Sequence, residues 1–235
     1  MVLTDKQIAD VDPTVSSTAD RTEALSGLTC ADLVDAMGRL HRHRCHVLDL
    51  VSPTPGRVLF GAAATISYYP SCSVALDPQH YNFANLFYEA VGDQPAGKVL
   101  VLGSNGYTNT SMGGGTKLFR LQVQGLAGVL TDGRLRDFAE LAGYDFAAYC
   151  SGEATHWGGD VVTPFQANVP VVVGRVGVMP GQYIYADSAG AVVIPDGEVD
   201  DVLAEARKIA AEDQAFRARI AGEVTSGRST GASER

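Results

Sequence analysis

Twice in succession the chain writes an amphipathic helix followed by a short apolar run, and that repeated unit restricts the fold more than any other feature. Phe83 to Val91 places its apolar residues at helical spacing, and the turn Gly92-Asp-Gln-Pro-Ala-Gly97 leads into the strand Lys98-Val-Leu-Val-Leu102. Thr116 to Gln124 repeats the helix ahead of the strand Gly128-Val-Leu-Thr131 and the turn Asp132-Gly133. Around this unit, Thr29 caps a helix predicted over about 29–39, and Val58 to Tyr68, bounded by Pro53, Pro55 and Pro70, reads as a buried strand. Further strands are predicted at Val169–Val173, Gln182–Asp187 and Ala191–Pro195. A closing helix over about 197–221 stacks Val202, Ala206, Ile209, Phe216 and Ile220 on one face. The pattern predicts a single mixed α/β domain over 21–224. A flexible arm, 1–20, precedes it, and a small polar tail, 225–235, read as disordered, follows.

Composition narrows the function. With 18 Lys and Arg against 27 Asp and Glu, the formal charge is −9, which repels phosphate backbones and argues against nucleic acid as a partner. No stretch approaches the ~18 apolar residues of a membrane span, and the first residues lack the basic and then apolar pattern of a signal peptide. A cytoplasmic protein is expected. Cys30, Cys45, Cys72 and Cys150 are too scattered for a disulfide framework or a zinc knuckle, so they read as reduced and mostly buried thiols.

Two segments hold chemistry-bearing residues. His41-Arg-His-Arg-Cys-His46 resembles a metal tract, but its interleaved arginines repel a cation, and it reads as a polar loop closing the first helix. The stretch from Gly103 to Asp137 is richer. Gly113-Gly-Gly-Thr116 stands before a helix, where open backbone N–H groups and the positive helix end attract a carboxylate or phosphate. Arg136-Asp137 follows the next strand. Arg136 can pair with a substrate carboxylate through both arms of its guanidinium, and Asp137 offers hard oxygen to Mg²⁺ or Mn²⁺. The competing reading of Arg136 and Asp137 is a surface pair at a helix start.

Gly128-Val-Leu-Thr-Asp-Gly-Arg-Leu-Arg-Asp137, Asn168-Val-Pro-Val-Val172, Gly177-Val-Met-Pro-Gly181 and Tyr185-Ala-Asp-Ser-Ala-Gly-Ala-Val-Val-Ile-Pro195 resemble, in order, the signature segments of the RraA-like superfamily. It contains 4-hydroxy-4-methyl-2-oxoglutarate aldolases, oxaloacetate decarboxylases and the regulator of ribonuclease E activity. The resemblance, from about Leu28 to Glu223, implies an α-β-β-α swivelling-type domain in homotrimers or homohexamers with sites between subunits. It implies a divalent metal, Mg²⁺ or Mn²⁺, and a small 2-oxo acid cleaved or decarboxylated through a pyruvate enolate that the metal stabilises. By the same resemblance Arg136 binds the pyruvyl carboxylate, Asp137 the metal, and Gly113, Gly114, Gly115 and Thr116 supply amides. A neighbouring subunit's closing helix adds an outer metal carboxylate, for which Glu212 is the first choice and Asp213 the competitor.

One position departs from that pattern. The lyase branch carries an acidic residue twenty-one positions before the motif arginine, and here that position is Gly115. Another group must then move protons, with His156 and Lys117 as candidates, or the chain performs a related enolate step such as isomerisation or cyclisation. Lys117 ranks below His156, because a first-turn lysine is normally solvated. A non-catalytic regulator that binds a ribonuclease-type partner is the remaining alternative. The presence of the closing helix weighs against it.

Overall fold

The computed structural model describes Arg21 and residues 23–225; the arm expected at 1–20 and the tail expected from 226 onward lie outside the described residues. In chain order the elements are α1 (Cys30–Leu40), β1 (His46–Val47), β2 (Leu59–Pro70), α2 (Phe83–Val91), β3 (Val99–Gly103) and β4 (Ser111–Gly113). There follow α3 (Gly115–Val123), β5 (Gly128–Thr131), β6 (Arg134–Leu135), α4 (Phe138–Leu141), β7 (Ala147–Tyr149) and β8 (Val162–Ala167). Last come β9 (Val171–Val173), β10 (Val176–Val178), β11 (Tyr183–Asp187), β12 (Gly190–Ile194) and α5 (Val199–Thr225). The expected α/β domain is present, and Thr29 caps α1 through a reciprocal pair with Asp32.

One eight-stranded mixed sheet organises the domain. Its order is β1-β12-β11-β2-β3-β5-β7, with β8 added to the end of β2. Strands β2, β3, β5 and β7 run parallel, as the repeated helix-and-strand unit requires, whereas β11 and β12 form an antiparallel hairpin against β2. The long strand β2 divides its side chains by alternation. Ala64, Ile66 and Tyr68 meet α2 and α3, and Phe60 packs with Tyr183, Tyr185, α1 and the first half of α5. Leu59 and Ala63 turn to the opposite face, onto the β9–β10 hairpin.

The closing helix carries the expected stripe, buried over only part of its length. Val202, Ala206 and Ile209 are buried against α1 and the sheet, but Phe216 and Ile220 from the same stripe are 52% and 45% exposed. Asp213, placed by the wheel within that stripe, is also exposed. The periodicity is real, but among the described residues the second half of the stripe is left exposed.

The core should be intolerant of truncation where α2 meets the sheet. Phe87, with no exposed surface, is expected to cost about 3–5 kcal/mol when replaced by alanine, read as a lower midpoint in urea unfolding at unchanged slope.

Candidate active site

Two of the shortest strands of the chain build the recess that holds Arg136 and Asp137. Strands β4 and β6 are two or three residues long and pair in parallel, Ser111 opposite Arg134 and Gly113 opposite Leu135. The Arg136 amide donates to the Gly113 carbonyl at 2.9 Å, which sets the Gly113–Thr116 segment beside Arg136 and Asp137. All of these residues but Gly115 line one cavity of about 300 Å³, together with Ser111, Lys117 and Trp157. The structure therefore brings together Gly113, Gly114, Thr116, Arg136 and Asp137, as the sequence reading proposed.

Asp137 has a conformation that demands an explanation. Its φ of 64° and ψ of 45° place it in the left-handed region, unfavourable for a residue with a Cβ, at the start of α4. Its side chain does not cap α4; Glu153 accepts the Phe138 amide instead, at 3.0 Å. The carboxylate turns across to α3, where its Oδ2 accepts the Gly115 amide at 3.1 Å. A Cβ on Gly114 would stand 2.6 Å from that same oxygen, so glycine is needed there for the approach. The Gly115 amide, expected to hold substrate, is consumed in holding Asp137.

Arg136 and Asp137 are neighbours without being a closed pair. The Arg136 guanidinium nitrogen lies 3.7 Å from Asp137 Oδ1, beyond hydrogen-bond range, with the two side chains 34% and 38% exposed. Both remain available to the cavity. Among the described residues no group of three or more His, Cys, Asp or Glu side chains converges, so a zinc-type cage of several protein ligands is not built. A single, partly exposed carboxylate beside a cavity suits a hard cation that keeps most of its water, as Mg²⁺ and Mn²⁺ do.

Two placements differ from expectation, and the residues expected to serve a neighbouring subunit lie apart from this cavity. His156 pairs with Asp160 at 2.9 Å, is largely exposed and does not line the Arg136–Asp137 cavity. Lys117 does line it, half-buried, with its ammonium 5.7 Å from the centre of the Phe83 ring. Burial lowers its pKa, and the positive charges of Arg120 and Arg136 add to that effect, so the solvated lysine of the sequence reading is corrected. Glu212 is held within its own chain by Arg39 at 2.8 Å, and neither Glu212 nor Asp213 lines the cavity.

Sequence reasoning missed Glu140. Its carboxylate occupies the space a side chain at residue 115 would need, since a Cβ on Gly115 would stand 2.0 Å from Glu140 Oε2. Tyr144 Oη donates to Glu140 Oε1 at 2.6 Å, and burial together with this carboxylate raises the phenol to about 12. The chain thus lacks an acid at 115 but carries a carboxylate at the same place from α4. The only sequence signal was spacing, Glu140 falling three residues after Asp137, in the first turn of α4.

The chain matches the RraA-like family, described as Aldolase/RraA, over residues 30–193. It belongs to that family. A relative from Halalkalibacterium halodurans, provisionally named a 4-hydroxy-4-methyl-2-oxoglutarate aldolase, is 30% identical over 136 residues, 58% of this chain and 64% of the relative. The chain thus spans less than two thirds of that relative's length. Among solved structures, Streptomyces coelicolor RraAS2, described as an unusual member of the RNase ES inhibitor RraA protein family, superposes with a TM-score of 0.73 at 23% identity, covering 84% of this chain and 96% of that one. A protein from Pseudomonas syringae gives 0.70 at 22% identity, covering 90% and 94%. At these identities the two structures establish the RraA-like fold. Among the described residues, no helix is long and apolar enough to cross a membrane.

The Glu140–Tyr144 contact yields a direct test. Gly115→Ala should fold with a stability change under about 1 kcal/mol, because only the far end of a flexible side chain must move and alanine favours a helix. It should displace Glu140 and bring the Tyr144 phenol back down toward about 10, read as the change in ultraviolet tyrosine titration that Tyr144→Phe removes.

Proposed function

We propose that this protein is a divalent-metal-dependent carbon–carbon lyase that cleaves or decarboxylates a small 2-oxo acid to release pyruvate. The observation that supports it most is the single cavity in which an unclosed Arg136 guanidinium and a strained, partly exposed Asp137 carboxylate stand side by side. The family and the relative named as an aldolase point the same way. Mg²⁺ or Mn²⁺, held by Asp137, would supply Lewis-acid polarisation of the substrate's oxygens.

The chain's own residues account for the rest of the work. Arg136 takes the substrate carboxylate in a forked contact and faces the oxygen that gains charge as the C3 carbanion forms. The open end of α3, through the Gly114 and Thr116 amides, orients the pyruvyl unit, while Gly115 keeps Asp137 in place. Lys117 is the wall residue whose proton can move. Burial and neighbouring cations raise its neutral fraction, so it accepts a proton from the reacting hydroxyl and returns one to C3. Activity should therefore rise with pH as the amine loses its proton, below the ordinary lysine range.

The exposed outer half of α5 supports assembly. Phe216 and Ile220 are open to solvent, and Glu212 lies on the same segment, so a second copy covering this stripe would bring that carboxylate to a neighbour's site. Light scattering should give a trimer or hexamer, and a monomer at micromolar concentration would remove Glu212 from the site.

Oxaloacetate with Mg²⁺ should yield pyruvate, and chelation should stop it. Arg136→Lys keeps the charge but loses the fork. It should lower kcat as well as raise KM, with a combined loss of about 2–4 kcal/mol in kcat/KM. A change confined to KM would reduce Arg136 to substrate positioning. Unchanged kinetics in Arg136→Ala would overturn the lyase reading.

A further inference from the structure

A second cavity, of about 420 Å³, opens beside the Arg136–Asp137 recess. The two share three wall residues, Ser111, Lys117 and Trp157, so they adjoin at a corner that Lys117 lines. Their linings differ sharply. The second cavity is walled by Tyr68, Leu76, Tyr81, Phe83, Val162 and Pro164, among other residues, and Lys117 supplies its one charged side chain. Several of its polar groups are already committed. Tyr68 Oη donates to the Met112 carbonyl at 2.5 Å, Ser71 contacts the Gly159 carbonyl and Thr163 at 2.9 Å, and Asn82 caps α2. Tyr81 stacks on Phe165 with ring centres 5.5 Å apart, which fixes its ring at the rim.

We propose that this second cavity is the acceptor subsite of the lyase and takes an uncharged aromatic group, so that the substrate is a 4-hydroxy-2-oxo acid carrying an aryl substituent on C4. The inference rests on the lyase reading of the neighbouring recess. With a pyruvyl head held by Arg136, the aromatic cavity across Lys117 is the adjoining space for what hangs from C4. A second carboxylate there would lose its water with only Lys117 to meet it, and that lysine would then be pinned as an ammonium, unable to accept a proton. An aryl group instead buries apolar surface against Tyr81, Phe83 and Pro164. The reaction balances without a further reactant. The C4 hydroxyl proton passes to the neutral Lys117 amine, the C3–C4 bond breaks, and C4 leaves as an aromatic aldehyde. The bonding pair remains on C3, which regains the proton from Lys117 to give pyruvate.

Trp157, the one tryptophan of the sequence, stands at the junction of both cavities and reports on binding independently of turnover. With Mg²⁺ present, its fluorescence is titrated with 2-oxo-4-phenylbutanoate and with 2-oxoglutarate, which share the head group and cannot undergo the cleavage. The phenyl compound should bind at least about tenfold more tightly, and Tyr81→Arg should cut that ratio severalfold. Equal or tighter binding of 2-oxoglutarate by the unmodified protein would overturn the subsite, as would a folded Tyr81→Arg that keeps the full ratio. Pyruvate release from 4-hydroxy-2-oxo-4-phenylbutanoate separates the two readings. Aryl-selective binding without pyruvate leaves the subsite and removes the lyase; pyruvate from oxaloacetate without aryl selectivity does the reverse.

Discussion

The hydrogen bond from the Gly115 amide to Asp137 Oδ2, 3.1 Å long, ties the first turn of α3 to the turn ahead of α4, and the arrangement of the cavity depends on it. It helps offset a left-handed backbone at Asp137 that would otherwise relax, and it aims a carboxylate away from its own helix. The β4–β6 pairing supplies the second tether, because the Arg136 amide is fixed to the Gly113 carbonyl one residue before the strained position. Both tethers are local polar contacts laid over a rigid base. Beneath them Leu118, Leu121, Leu135 and Leu141 are buried in one cluster with α2 and the sheet, so the two turns cannot drift apart without opening the core.

Charge is distributed with the same economy. Arg136 and Lys117 face one recess, where burial lowers the Lys117 pKa and the charges of Arg120 and Arg136 add to the effect. One recess thus carries a guanidinium and a half-buried lysine whose pKa is lowered. The carboxylate of Glu140, pinned by Tyr144 against Gly115, lies just outside this wall and restores negative charge at a place the sequence leaves empty.

Much of this was legible in the sequence because it is local. The Gly128–Asp137 run encodes strand, turn and the neighbouring Arg136 and Asp137 in ten residues, and α2, β3, α3 and β5 appear nearly where periodicity puts them. Other parts depended on distant packing. Lys117 is withdrawn from solvent beside Phe83 and Trp157, residues some forty positions or fewer away on separate elements, and a first-turn position says nothing about that. Strands β4 and β6 are too short for a period of two to register, and β8 carries Pro164, tolerated because β8 pairs only with the end of β2. The α5 stripe is legible as a pattern, but a helical wheel cannot tell which of its residues the sheet and α1 cover, Val202, Ala206 and Ile209, and which they leave exposed, Phe216 and Ile220.

The central claim is that Asp137 is turned out of its helix to serve a divalent cation beside a carboxylate held by Arg136. Mn²⁺ reports this without any turnover, through the water-proton relaxation it enhances when bound. The unmodified protein should bind Mn²⁺ more tightly with oxalate present than alone, forming a ternary complex. Asp137→Asn, isosteric and able to keep the left-handed turn, should lose that complex. Equal Mn²⁺ and oxalate binding by the two proteins would contradict the account.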